Sequence, residues 1–91
     1  MSYVIVLGPR LEEILKRLKS KDNVLLARLE KQIDKIAREP ILGKPLRNVL
    51  RNYRRVQVDS FVLIYEIHGA EIRLLDFDHH DRIYKESGLF R

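Results

Sequence analysis

The hydrophobic pattern changes its period part-way along the chain, near residue 40. The run YVIVL (3–7) is short and apolar and is closed by Gly8-Pro9, which predicts a buried strand. Apolar residues then recur at three- and four-residue spacing, which is typical of amphipathic helices. Asp22 lies at the break between two such segments and is expected to cap the second helix. The two apolar stripes are Leu11, Ile14, Leu15 and Leu18, and then Leu25, Leu26, Leu29, Ile33, Ile36 and Ala37.

Three β-rich runs follow: YRRVQV (53–58), FVLIYEI (61–67) and EIRLLDF (71–77). The connections DS and HGA are short enough for hairpins. The pattern therefore predicts an α+β fold: a strand, a two-helix hairpin, then three antiparallel strands. We expect a four-stranded, mainly antiparallel sheet with the helices on one face. The periodic positions Leu15, Leu18, Leu29, Ile33, Ile64 and Leu74 should be buried.

Length and composition narrow the class of protein. Ninety-one residues are expected to form a single domain, 1–91. The absence of cysteine excludes disulfides, thiolate metal sites and thiol nucleophiles. No apolar run approaches the roughly 18 residues of a membrane span, and the N-terminus lacks the pattern of a signal peptide. We expect a cytoplasmic protein without a membrane partner.

Positive charge is concentrated in one stretch of a basic chain. Lys and Arg number 18 against 13 Asp and Glu, a net charge of +5. Residues 42–55 contain no acidic residue, so this segment is either a surface that limits aggregation or one that grips phosphates. Neighbours on a strand face opposite sides, so only one of its two adjacent arginines can line a given surface. Arg55, which shares a face with Gln57, is the preferred phosphate contact. The basic residues are Lys44, Arg47, Arg51, Arg54 and Arg55.

The segment DFDHHDRIY (76–84) carries the candidate chemistry. On an extended chain His79 and His80 would point to opposite sides, so we expect no shared metal ion. Histidine titrates near neutrality and suits proton transfer. With the Tyr84 hydroxyl and fixed positive charge, it meets the needs of attack by an RNA 2′-OH on the adjacent phosphate. Idle, solvated histidines are the alternative.

Residues 42–85, LGKPLRNVLRNYRRVQVDSFVLIYEIHGAEIRLLDFDHHDRIYK, resemble the RelE/ParE superfamily of type II toxin–antitoxin toxins. The family pattern has a Leu-x-Gly segment, a Tyr-Arg strand, a YRVIYEI-like strand and a last strand ending in GHR…VY. The resemblance implies a small basic toxin. Many such toxins cleave messenger RNA in the ribosomal A site, and others poison DNA gyrase.

The resemblance also assigns site residues, with two departures. Val62 stands where the family's catalytic arginine usually lies, and His80 stands at a second arginine. His79 keeps the family histidine, and Tyr84 matches the tyrosine of ribonuclease members. The resemblance and the charge pattern together give catalytic candidates His80, Tyr84, Arg55 and His79, and RNA-binding candidates Lys44, Arg47, Arg51 and Arg54.

The expected function is therefore that of a metal-independent endoribonuclease toxin that needs no cofactor. Its expected partners are messenger RNA, the ribosome and a small acidic RelB-like antitoxin, in a heterotetramer. A non-catalytic, gyrase-binding toxin or an inactive homologue is the alternative, which Val62 favours.

Overall fold

The computed structural model describes residues 3–46 and 53–86, with the side chains of 84–86 left out. The α+β class is confirmed, and in these two ranges two long helices and a short third one surround a five-stranded sheet. The elements are β1 (Val4–Leu7), α1 (Pro9–Lys21), α2 (Asn23–Arg38), a 3₁₀ turn (Pro40–Leu42), β2 (Lys44–Pro45), β3 (Tyr53–Val58), β4 (Phe61–His68), β5 (Glu71–His79) and α3 (His80–Glu86).

The sheet has the order β1-β5-β4-β3-β2, with β1 parallel to β5 and the other pairs antiparallel. The prediction of four strands was wrong, because Lys44 and Pro45 add a short edge strand against β3. Two residues are too few to show a period of two, and proline cannot donate to a ladder, so the pattern gave no sign of β2.

The helical hairpin forms where the pattern predicted it. Pro9 lies in the first turn of α1, where its missing N–H is not needed. Asp22 caps α2, with its carboxylate accepting from the amide of Leu25 at 3.0 Å. The helix continues through Ser20 and Lys21, so a single residue separates α1 from α2.

The main core lies between the hairpin and one face of the sheet. Leu29 and Leu74 are fully buried in it, as predicted. Leu15, Leu18 and Ile33 are only partly buried, so the prediction was wrong for these three. The hairpin packs on a single layer, and positions at the flanks of each apolar stripe therefore keep some contact with water.

A second, smaller core covers the opposite face of the sheet. Ile83 of α3 is buried there with Leu46, Val62 and Ile64. The sequence pattern placed helices on one face only and did not predict α3. Within the described ranges no helix is long and apolar enough to cross a membrane.

Candidate nucleic-acid interface

The adjacent arginines of β3 face opposite sides of the sheet. Arg55 lies directly opposite Ile64, and Gln57 lies opposite Val62, so both share the face that α3 covers. Arg54 lies opposite Tyr65, on the face that packs against the helical hairpin. The two cations of the dipeptide therefore have different surroundings.

Arg55 lines a cavity of about 300 Å³ with a second cation. Lys44 is its direct partner across the β2–β3 ladder, and both side chains line the cavity together with Gln57. Val62 belongs to the same lining and is 4% exposed. No acidic side chain is present among the described lining residues. We call this cavity the basic cleft.

Arg54 contacts backbone instead. Its Nη1 donates to the carbonyl of Gly43 at 2.7 Å and to that of Ile41 at 3.4 Å. Tyr65, its neighbour on β4, donates to the carbonyl of Pro40 at 2.5 Å and accepts from the amide of Gly43 at 2.9 Å. Burial raises the pKa of the Tyr65 phenol, an effect that the Gly43 hydrogen bond and the nearby Arg54 charge partly offset.

The histidine pair lies at the end of β5, where the chain turns from strand into helix. The His80 amide donates to the carbonyl of Ser60 at 3.0 Å, which holds this junction to the β3–β4 turn. The expectation that the two rings point apart was wrong. Their centroids lie 4.8 Å apart, because His80 is the first residue of α3 rather than the next residue of a strand.

Asp81 lies beside both rings. Its Oδ1 is 3.1 Å from Nε2 of His80, and its Oδ2 is 3.7 Å from Nδ1 of His79. The Asp81 amide also donates to Nδ1 of His79 at 3.3 Å. All three side chains are accessible, with exposed fractions of 35% for His79, 48% for His80 and 68% for Asp81. The carboxylate can therefore orient and stabilise a protonated imidazole.

The same three side chains are the candidate metal ligands among the described residues, with ligand atoms within 4.8 Å of one another. Zinc–nitrogen bonds of about 2.0–2.1 Å place tetrahedral ligand atoms roughly 3.4 Å apart. The rings would have to approach each other to share an ion, and the Asp81 amide already occupies one nitrogen of His79.

The histidine pair and the basic cleft occupy different positions along the sheet. His79 is opposite Phe61 on β4, on the face of the main core, whereas Arg55 is opposite Ile64, on the face that α3 covers. Three residues separate these β4 positions, so the two groups are offset by about 10 Å along the strands. The arrangement suits an extended ligand better than a compact one.

Some predicted site residues lie outside the part of the chain that the structure describes. Arg47 and Arg51 lie in 47–52, beyond the described residues. Tyr84 belongs to α3, but its side chain is not among those described. Sequence reasoning missed Tyr65 and Gly43 as partners of the site. In the sequence, nothing distinguishes Tyr65 from the apolar residues of its strand. Only the Leu-x-Gly motif pointed to Gly43.

Comparison with known proteins identifies the family. Residues 5–84 match the family described as ParE toxin of type II toxin–antitoxin system, parDE. This chain is a toxin of the RelE/ParE superfamily. The toxin is 37% identical over 92 residues to a protein of Methanocaldococcus jannaschii named "Putative toxin RelE4", and the alignment covers 98% of each chain.

Solved structures of related proteins share the toxin's fold. The crystal structure of the toxin–antitoxin complex RelBE2 from Mycobacterium tuberculosis contains a chain that is 26% identical. The match has a TM-score of 0.70 and covers 87% of the toxin and 99% of that chain. Free RelE of E. coli, in a mutant form, superposes with a TM-score of 0.75 at 12% identity, over 99% of the toxin and 92% of that chain.

Proposed function

We propose that this toxin is a metal-independent endoribonuclease that cleaves messenger RNA on the ribosome and so inhibits translation. The observation that carries the proposal is the cross-strand pair of Lys44 and Arg55 in the basic cleft. Like charges directly opposite each other on neighbouring strands are destabilising. A pair of this kind is favourable when an anion lies between the two groups, and a phosphodiester is such an anion.

The histidine pair supplies groups for acid–base chemistry at neutral pH. One group removes the proton of a 2′-OH, whose oxygen then bonds to the adjacent phosphorus. The bond from phosphorus to the 5′-oxygen breaks, and that oxygen takes a proton from a second group. The products are a 2′,3′-cyclic phosphate and a 5′-hydroxyl. We assign these transfers to His80 and His79, with Asp81 orienting the rings. Arg55, about 10 Å away along the strands, is assigned to a neighbouring phosphate of the same extended RNA.

The remaining assignments follow from charge and from the family pattern. Lys44 is the second phosphate contact of the cleft, and Arg47 and Arg51 extend the same basic segment. Tyr84 is assigned to the nucleotide, by stacking or hydrogen bonding. Arg54 is the least suited of the predicted RNA contacts, because its guanidinium already donates to two backbone carbonyls.

A second candidate is a toxin that binds its target without cleaving it, as gyrase-directed members of the superfamily do. The observation that favours it is Val62, which stands at a family arginine position and is buried in the same small core as Ile83. An apolar side chain there contributes packing and no charge.

The partner that we propose is a small acidic antitoxin. A basic surface and a net charge of +5 favour an acidic, amphipathic segment that folds on binding. The related chain of Mycobacterium tuberculosis is part of a toxin–antitoxin complex, RelBE2, which supports an antitoxin for this toxin as well. Assembly with the antitoxin as a heterotetramer stays a prediction.

The decisive test is cleavage of ribosome-bound messenger RNA by purified toxin. Magnesium is kept for the ribosome, and a chelator selective for zinc-type ions is added. We expect cleavage to continue and to yield 2′,3′-cyclic phosphate and 5′-hydroxyl ends. Loss of cleavage with the chelator, restored by adding back zinc, would refute the metal-independent mechanism.

The matched variants are His80→Ala and His68→Ala. His68 ends β4 at the opposite hairpin, where its Nδ1 lies 3.2 Å from Arg73. His80→Ala should lower the cleavage rate by about 10²–10⁴-fold, the usual effect of losing an acid–base group. His68→Ala should leave it unchanged. Full activity of His80→Ala would show that His80 takes no part in the chemistry.

A further inference from the structure

β2 is held in place by few backbone hydrogen bonds of its own. It has two residues, and Pro45 has no N–H to donate to the ladder. The next contact, from the Leu46 amide to the Tyr53 carbonyl at 2.9 Å, lies beyond the strand. Yet β2 carries Lys44, one of the two cations of the basic cleft. The position of this ammonium group therefore depends on what fixes the turn before it.

Among the described residues, two side chains bond to that turn, and they come from β3 and β4. Tyr65 is fully buried, and its hydroxyl bonds the Pro40 carbonyl and the Gly43 amide. Arg54 bonds the carbonyls of Gly43 and Ile41. Arg54 and Tyr65 are direct partners across the β3–β4 ladder, so they form one anchor for residues 40–43. We call this pair the turn anchor.

The fit at Gly43 shows how closely the turn lies against the anchor. A Cβ at this position would lie 2.5 Å from the Tyr65 hydroxyl and 2.8 Å from the Arg55 carbonyl. Only glycine permits this approach, because every other residue carries a Cβ. The Gly43 backbone therefore lies against both the turn anchor and Arg55, the β3 residue that lines the basic cleft. The next residue is Lys44, whose Cα is in register with that of Arg55.

We propose that Arg54 and Tyr65 are positioning residues, which act through the 40–43 turn to hold Lys44 opposite Arg55 for a joint grip on RNA phosphates. This proposal rests on the proposed function because it takes RNA as the ligand. It does not require that the toxin cleaves the RNA. The two adjacent arginines then have different roles. Arg55 contacts the phosphate, and Arg54 places the second cation beside it.

The test is a double-mutant cycle on RNA affinity. The probe is a single-stranded 2′-O-methyl RNA oligonucleotide, which has no free 2′-OH and cannot be cut. Each phosphate contact contributes roughly 0.7 to the slope of log affinity against log salt on a single strand. Lys44→Ala should lower the slope by about that amount. Tyr65→Phe, which removes only the hydroxyl, should cause a similar loss.

The double variants distinguish a loss of Lys44 positioning from a general destabilisation of the fold. In the Lys44→Ala background, Tyr65→Phe should cause no further loss, because the cation that it positions is already absent. In the Arg55→Ala background it should cause its full loss. Equal losses in both backgrounds, or an unchanged slope for Tyr65→Phe alone, would overturn the proposal. Tyr3→Phe is the matched control, since Tyr3 precedes β1 at the other edge of the sheet, and it should leave the slope unchanged.

Arg54→Met is the second variant, in case Tyr65→Phe does not fold. If Arg54 acts only on the turn, its effect should disappear in the Lys44→Ala background. If Arg54 contacts a phosphate directly, its effect should persist there, which would refute the positioning role. Wild-type toxin that binds the oligonucleotide but does not cleave RNA would refute the proposed function alone. Wild-type toxin with no affinity for it would refute the joint phosphate grip as well.

Discussion

Arg54 and Arg55 show how far the surroundings of a residue decide its role. Both are half-exposed arginines on β3, one position apart. The alternation of a strand turns one towards the helical hairpin and the other towards the basic cleft. The sequence alone predicted that they face opposite sides. It did not predict that Arg54 donates to the turn, because the turn is distant in sequence and leaves no periodic signal.

The first prediction compares Arg55→Ala with Arg73→Ala, which removes an equal charge from β5. Arg73 lies two strands away from Arg55 and contacts Glu71 and Glu66. Arg55→Ala should weaken RNA binding and lower the salt slope by roughly 0.7, and Arg73→Ala should leave the slope unchanged. Salt titrations monitored by fluorescence anisotropy measure both. An unchanged slope for Arg55→Ala would place its guanidinium away from the phosphates.

The second prediction concerns Tyr65 at alkaline pH. Burial raises the pKa of its phenol above the ordinary 10.0, so the folded state favours the neutral form more than the unfolded state does. This contribution to stability is fully present below pH 10 and is lost as pH rises through the higher folded pKa. Tyr65→Phe should cost about 1–3 kcal/mol at neutral pH, because it leaves the Gly43 amide without its buried partner.

Urea unfolding between pH 8 and pH 11 measures this effect. The free energy of unfolding of the wild type should fall more steeply above pH 10 than that of Tyr65→Phe. The difference between the two curves isolates Tyr65 from the other titrating side chains. Parallel curves would mean that the phenolate is tolerated in the folded state.

Among the elements, long periodic segments could be predicted from sequence and short ones could not. The two helices and the three long strands repeat an apolar pattern over many positions, and Asp22 supplied a recognisable cap. β2 and α3 have two and seven residues and no such pattern. The histidine pair was misplaced for this reason, since its geometry depends on the unpredicted start of α3.

The third prediction tests the close approach of the 40–43 turn to the sheet. Gly43→Ala forces a methyl group against the Tyr65 hydroxyl and the Arg55 carbonyl, so the turn must move away. We expect a loss of about 1–3 kcal/mol in the free energy of unfolding, as is usual for overpacking. The amides of Leu42 and Leu46, bonded to Glu39 and Tyr53, should exchange faster with solvent. Hydrogen exchange measured by NMR reports both.

Gly69→Asn is the control for Gly43→Ala. Gly69 has a φ of 61° in the β4–β5 turn, with no heavy atom within 4 Å of a Cβ placed there. Asparagine tolerates this conformation, so the variant should lose little stability. A Gly43→Ala variant as stable as Gly69→Asn would show that the turn is not held tightly.

For the whole molecule, the sheet separates two surfaces. The hairpin and the main core occupy one face and α3 occupies the other, while the basic cleft is lined from both sides, by Gln32 of α2 and Val56 of the main core as well as by Arg55 and Val62. The fold and the family could be read from the sequence, because both depend on patterns that extend over many residues. The distance between the histidine pair and the cleft could not be predicted, since it depends on the register of four strands.

Translation of a purified messenger RNA in a reconstituted system without DNA or gyrase distinguishes a ribonuclease from a gyrase-directed toxin. We predict that the wild-type toxin stops synthesis and that the message is cut, whereas His80→Ala does neither. No antitoxin peptide is added, because protein synthesis and cleavage of the message are measured with the toxin alone. Normal synthesis from an intact message, together with inhibition by the toxin of DNA supercoiling by purified gyrase, would contradict the ribonuclease assignment and identify the toxin as a gyrase-directed binder.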